Sequence, residues 1–231
     1  MNITKTMKLR IFAALQITLV YSFVFNPWTS FPYTFLIIII AAILLTVLSK
    51  VSLAELGFKT NRNFFSIVTT ALLIFAVSEP VLDFIIQPLI NKLTHEIPDY
   101  SAFDRVKHNF PKYLKYLCFI WVSAAFGEEV LFRGFLFRQF NMLLPDFRFK
   151  TIFIIILTAL LFSLPHIYLG PAGLIMTFIF GLMFGFIYIK CQYNLWVTIV
   201  LHGLVDSLFI TLAYTGCLDY YEIGNKYFFG Y

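Results

Sequence analysis

The chain has 231 residues, 60% of them hydrophobic and only 13% charged, with a mean hydropathy of +0.85. Soluble domains carry about 25% charged residues, so the composition excludes an ordinary soluble domain and describes an integral, multi-pass protein of the lipid bilayer. The net charge of +5 does not make a nucleic-acid patch, because the basic residues are scattered at the ends of apolar runs, as topology signals are.

Met1 to Arg10 carries Lys5, Lys8 and Arg10 ahead of the apolar run 11–25. No small-residue cleavage site follows, so this reads as an uncleaved first spanning helix closed by Asn26-Pro27-Trp28. Tyr33–Leu48 is the second apolar segment and 51–63 a short polar connection. The stretch 64–90 is a third span with an extension, interrupted at Pro80. There Glu79 and Asp83 stand four apart; two like charges buried together repel, so the expectation is an interfacial position near a helix end.

The longest polar loop, 91–112, has Pro98 and Pro111 near its ends. The fourth segment, 113–140, is apolar except for Glu128-Glu129 and Arg133, with Arg138 near its end. A fifth segment (151–164) ends at Pro165-His166, and Gly170-Pro171 marks a turn. The sixth (172–189) carries Gly181 and Gly185 at a spacing that lets helices pack closely. The seventh is 195–214, and the aromatic tail to Tyr231 shows no clear element. Cys118, Cys191 and Cys217 lie far apart and read as apolar filler. The expected fold is all-α: one transmembrane domain over 1–231, a polytopic bundle of about seven to eight spans.

Seven spans with the N-terminus on the cytoplasmic side put ten Lys and Arg residues on the inner face, against six on the outer. That is the direction of the positive-inside rule.

Ionisable groups within apolar spans are costly and mark function. Glu129 and Arg133 share a helix face, acid before base, as an ion pair prefers. Glu128 points away from that face and is left free for chemistry. His166 closes the fifth segment, and His202 and Asp206 share a face of the seventh. At about 1.5 Å per residue, Glu128 falls about 15 Å from the inner face and His166 about 24 Å. The mismatch calls for a fifth helix that starts outside the bilayer or tilts, or a fourth that breaks after the glutamates.

Three patterns follow one another on separate apolar segments: Glu128-Glu129…Arg133 (EExxxR), Phe162…His166 (FxxxH) and His202…Asp206 (HxxxN/D). In that order the chain resembles the CPBP family, the CAAX prenyl protease and bacteriocin-processing (Abi) intramembrane proteases, over a core of about 113–214. The resemblance implies an intramembrane endopeptidase acting near the end of a hydrophobic or prenylated (CAAX-type) peptide or protein. Glu128 would be the general base for water, His166 would position that water, and His202 with Asp206 would support the oxyanion. An ionised aspartate cannot donate a hydrogen bond. Asp206 is therefore either protonated or, as we prefer, holds His202 in its working tautomer.

The cofactor is either none or a divalent metal; for zinc, Glu128, His166 and His202 would supply a His₂Glu set. HExxH is absent, and a metal-free glutamate base uses the same residues. Two readings from other classes use them too: a proton-coupled transporter, and a non-catalytic bacteriocin-immunity scaffold. Loss of Glu128 would spare only the scaffold.

Overall fold

The computed structural model describes residues 3–96 and 99–230. Met1, Pro98 and Tyr231, named above, lie outside the described residues, as does the side chain of Lys5. Among the described residues the secondary structure is helical, with no strand. The helices are α1 (Ile3–Ser22), α2 (Tyr33–Leu48), α3 (Phe64–Val81), α4 (Gln87–Thr94), α5 (Phe110–Phe119), α6 (Phe137–Leu143), α7 (Lys150–Ser163), α8 (Gly170–Lys190) and α9 (Leu195–Thr215).

Their ends follow from local chemistry. The Asn63, Asn109 and Asn194 side chains each accept from a backbone N–H of the first turn that follows, opening α3, α5 and α9. Pro111 and Pro171 occupy first turns, where no N–H is missed. Gly216, at φ 77°, closes α9 in the left-handed conformation. Pro80 removes a backbone donor inside α3, and one wide turn (Leu82–Ile86) follows before α4 resumes the regular winding.

From Phe110 to Leu143 the chain is one continuous helix, with α5 and α6 as its ends. Its middle, Ile120–Glu128 and Val130–Leu136, is wound with the wide i→i+5 turn. Single turns of that kind gather at functional sites; here the motif occupies several. Every residue from Gly127 to Phe137 is buried. A helix apolar all round must be surrounded, and this one is. Val130, Leu131, Phe135 and Leu136 pack with Ile38 and Ala42 of α2, Ile154 of α7 and Leu195 of α9. The α1 side chains bearing on lipid, such as Leu15 and Leu19, are exposed instead.

Gly181 and Gly185 bring α8 onto α7 as their spacing suggests. A Cβ on Gly181 would lie 2.8 Å from the Ala159 Cα, and one on Gly185 3.0 Å from Ile155. Gln16 of α1 meets Gln139 of α6 at 2.6 Å, a buried amide pair that fixes the first helix.

Four stretches are long and apolar enough to cross a membrane: 7–25, 64–94, 150–190 and 195–215. The third is the α7–α8 hairpin, two helices rather than one. α2 is shorter, at 16 residues, and the central helix carries Glu128, Glu129 and Arg133. The seven segments read from the sequence are all helical, but length and hydropathy by themselves single out only these stretches.

Three local expectations change. Glu79 and Asp83 are 3% and 5% exposed and line a partly open cavity, so they are buried rather than left at an exposed helix end. The distortion at Pro80 turns both inward. The central helix does not break after the glutamates; instead α7 stops at Ser163 and His166 sits in a tight turn, Leu164–Leu169. Of the three free cysteines only Cys191 is buried.

Candidate active site

Four of the six expected residues form a connected chain across two helices. Arg133 Nη1 donates to Glu129 Oε1 at 2.7 Å. His202 Nδ1 donates to that same oxygen at 3.0 Å. Asp206 Oδ2 stands 3.6 Å from His202 Nε2, too far for a direct hydrogen bond. The Glu129–Arg133 pair follows from the four-residue spacing; the bond from Glu129 to His202 does not, because it joins the central helix to α9.

Arg133 is held on all sides. Its Nη2 donates to the Gly181 carbonyl at 3.3 Å, within reach because α8 lies so close to α7. The guanidinium lies over the Phe162 ring at 4.5 Å and the Phe184 ring at 5.1 Å, a cation–π arrangement on both. Gly203, next to His202, takes the Trp121 ring against its backbone, and a Cβ there would come within 2.6 Å of it. The Trp121 indole N–H donates to Ser207 Oγ at 3.1 Å, one turn on. So α9 is locked to the central helix at His202 and over the turn that follows it.

Glu128 is buried and makes no hydrogen bond or ion pair among the described residues. It lies within electrostatic reach of His202, Asp206, Glu129 and Arg133. His166 donates from Nδ1 to the Phe162 carbonyl at 3.0 Å, which leaves Nε2 free. It joins the cluster through the Phe162 ring, 5.4 Å from His166 and 6.2 Å from His202. Glu128, His166 and His202 do not come together as a ligand set: among the described residues no group of three or more His, Cys, Asp and Glu side chains is placed to hold a metal ion.

Residues 110–208 match the family model described as type II CAAX prenyl endopeptidase Rce1-like. This stretch is similar to an Rce1-like domain. It begins with the central helix, ends just past Asp206, and holds all seven motif residues, while α1 to α4 lie outside it. No curated protein and no solved structure matches the chain.

The matched stretch contains further residues that its motifs do not announce. Tyr168 stacks on the His166 ring at 6.3 Å and lies within electrostatic reach of Glu128 and Asp206. Tyr168 and Asp206 both line a cavity of about 670 Å³ between α3, α4, α8 and α9. Water and polar backbone at membrane depth are tolerated where they line such a space. The one sequence signal for this cavity was the Glu79, Asp83 pair.

Proposed function

We propose that the chain is an intramembrane endopeptidase in which Glu128 activates water, and that its substrate is a hydrophobic or prenylated peptide end reaching the cluster from the membrane. The observation that carries this reading is a division of labour between two neighbouring buried carboxylates. Glu129 is committed to Arg133 and His202, whereas Glu128 is committed to nothing.

Amide hydrolysis needs a base, an oxyanion donor and a proton for the leaving amine. Glu128 takes the proton from water as it attacks the carbonyl carbon, and returns it to the amine as the C–N bond breaks. His166, with Nε2 free, orients that water. His202 is fixed through Nδ1; carrying a proton on each nitrogen, it donates from Nε2 to the carbonyl oxygen as charge develops there. The partner that fixes the ring is thus Glu129, the role the sequence reading gave to Asp206. Asp206 stands beyond Nε2, at the cavity edge. No step passes through a metal, and the donor set described above supports that choice.

The N-terminus on the cytoplasmic side is part of the proposal. Contacts at one end of the bundle support it, since they join segments that belong to the ten-against-six majority of basic residues. There Lys59 donates to the Gln192 carbonyl at 2.6 Å and Arg138 pairs with Glu55 at 3.3 Å. The opposite end gathers Glu96, which accepts from the Ala172 N–H at 2.6 Å, and the His108 N–H bond to the Tyr214 carbonyl at 2.9 Å.

The test is a cleavage assay in lipid nanodiscs on a fluorogenic prenylated peptide and a set of hydrophobic peptides, with and without chelator. Wild-type protein should cleave at least one of them. Glu128→Gln should lose about 10²–10⁴-fold in kcat, and chelator should change nothing. Cleavage that survives Glu128→Gln in a folded protein would refute the reading.

A further inference from the structure

The cavity beside the cluster has a composition that hydrolysis does not explain. Glu79, Asp83, Glu96, Asp99 and Asp206 line it, and no Lys, Arg or His does. Glu96 is used structurally, at the start of α8. Glu79 and Asp83 have no cationic partner among the described residues; their carboxyls lie within hydrogen-bond reach of each other, and no other side chain or backbone group donates to Glu79 Oε2 or Asp83 Oδ2.

Asn91 supplies a second observation. It is 2% exposed and lines the same cavity. Its Oδ1 accepts from Gln87 at 2.7 Å, yet its Nδ2 has no partner. Buried polar atoms left unpaired are rare and costly. The Asn91 amide calls for a ligand acceptor such as a peptide carbonyl, and the carboxyl pair, with no cation beside it, calls for a ligand cation.

The rest of the lining says what that ligand is. Tyr100, Phe209 and Tyr221 form an aromatic trio with ring centroids 5.7–5.8 Å apart, and all three line the cavity. Carboxyls and aromatic rings around one cavity suit an organic cation. A bare metal ion fits poorly, since the acids are not grouped to coordinate one and about 670 Å³ is a volume for an organic ligand.

We propose that this cavity is a subsite for a Lys or Arg side chain of the peptide substrate. The assignment rests on the protease reading, because Asp206 belongs to both the cavity and the cluster. A basic side chain seated against Glu79 and Asp83 anchors the peptide with its scissile bond towards Glu128. Selectivity for a charged side chain then comes from groups that catalysis does not use.

The experiment uses the full chain in nanodiscs and peptides of one hydrophobic sequence, with a single Lys, norleucine or Glu scanned across the positions flanking the cut. One position should favour Lys over norleucine about tenfold or more in kcat/KM, through KM, with Glu poorest. In the Glu79→Gln/Asp83→Asn double variant that ratio should fall towards one; where this variant does not fold, Tyr221→Leu removes a ring from the aromatic trio and should also lower it. Equal use of Lys and norleucine at every position overturns the subsite while leaving the protease reading intact. If nothing is cleaved, the protease reading fails first, and binding of the labelled peptides to Glu128→Gln protein decides: tenfold tighter Lys-peptide binding upholds the subsite, equal binding overturns it. Spermidine binding that depends on Asp83, without any preference among peptides, replaces the substrate side chain by a free polyamine and also overturns it.

Discussion

Replacing Arg133 by Met removes a charge that three elements converge on, and it leaves Glu129 ionised in a site of 0% exposure. At 2.7 Å and an effective dielectric of about 20, unit charges attract by about 6 kcal/mol. Desolvation of both ions offsets most of that gain in the intact pair, so the pair adds little net stability. What the single substitution uncovers is the remaining charge, and breaking a buried pair in this way costs about 3–5 kcal/mol. The lost cation–π contacts with Phe162 and Phe184 act in the same direction. Glu129→Gln should relieve part of the penalty, because the neutral amide removes the carboxylate charge beside Met while its oxygen can still accept from His202 Nδ1. The double variant should therefore be more stable than the sum of the single effects by about 2–3 kcal/mol. Equilibrium unfolding in mixed micelles, followed by the fluorescence of Trp28, Trp121 and Trp196, reads all four proteins. A loss below about 1 kcal/mol for Arg133→Met, within the ordinary run of substitutions, or strictly additive effects, would show that Glu129 does not depend on Arg133.

Two further outcomes test the geometry around the pair. Gly181→Val places side-chain atoms where the Ala159 Cα already stands; it should lower the unfolding midpoint by the equivalent of about 1–3 kcal/mol and draw the Gly181 carbonyl away from Arg133. An unchanged midpoint would mean that α7 and α8 can separate freely. Asp206→Asn should retain cleavage within about tenfold of wild type, whereas His202→Ala should lose about 10²–10³-fold in kcat, the scale of a lost oxyanion donor. Here His202 is fixed by Glu129, so an equal loss in both variants would return the orienting role to Asp206.

The site lies where the fold has least freedom. The central helix is buried on every face from Gly127 to Phe137, and its charged residues Glu129 and Arg133 are satisfied by groups from elsewhere: a carbonyl of α8, an imidazole of α9 and an aromatic ring of α7. Each supplier depends on a close approach, through Gly181 against Ala159 and Gly203 against Trp121. Small residues at helix interfaces thus do two things, since they pack the bundle and they set the distance from backbone or side chain to the buried ions.

Much of this was written in the sequence. Hydropathy fixed the class and the positions of the helices, because a segment without water must satisfy its own backbone and can do so only by coiling. The four-residue spacing of Glu129 and Arg133 dictated their pairing, since helical neighbours are local. Three ionisable motifs on three apolar segments pointed to one site, because such charges are too costly to scatter. Tertiary structure alone decided the rest. That Glu129 holds His202 depends on how α9 crosses the central helix, a relation between residues 73 positions apart. That Phe162, in ring contact with His166, stands 6.2 Å from the His202 ring depends on how α7 packs against α9. Glu79 and Asp83 read as a repelling pair best kept near water, since a chain in one dimension cannot show a cavity. Only the packing of α3, α4, α8 and α9 forms the partly open cavity that two buried acids line.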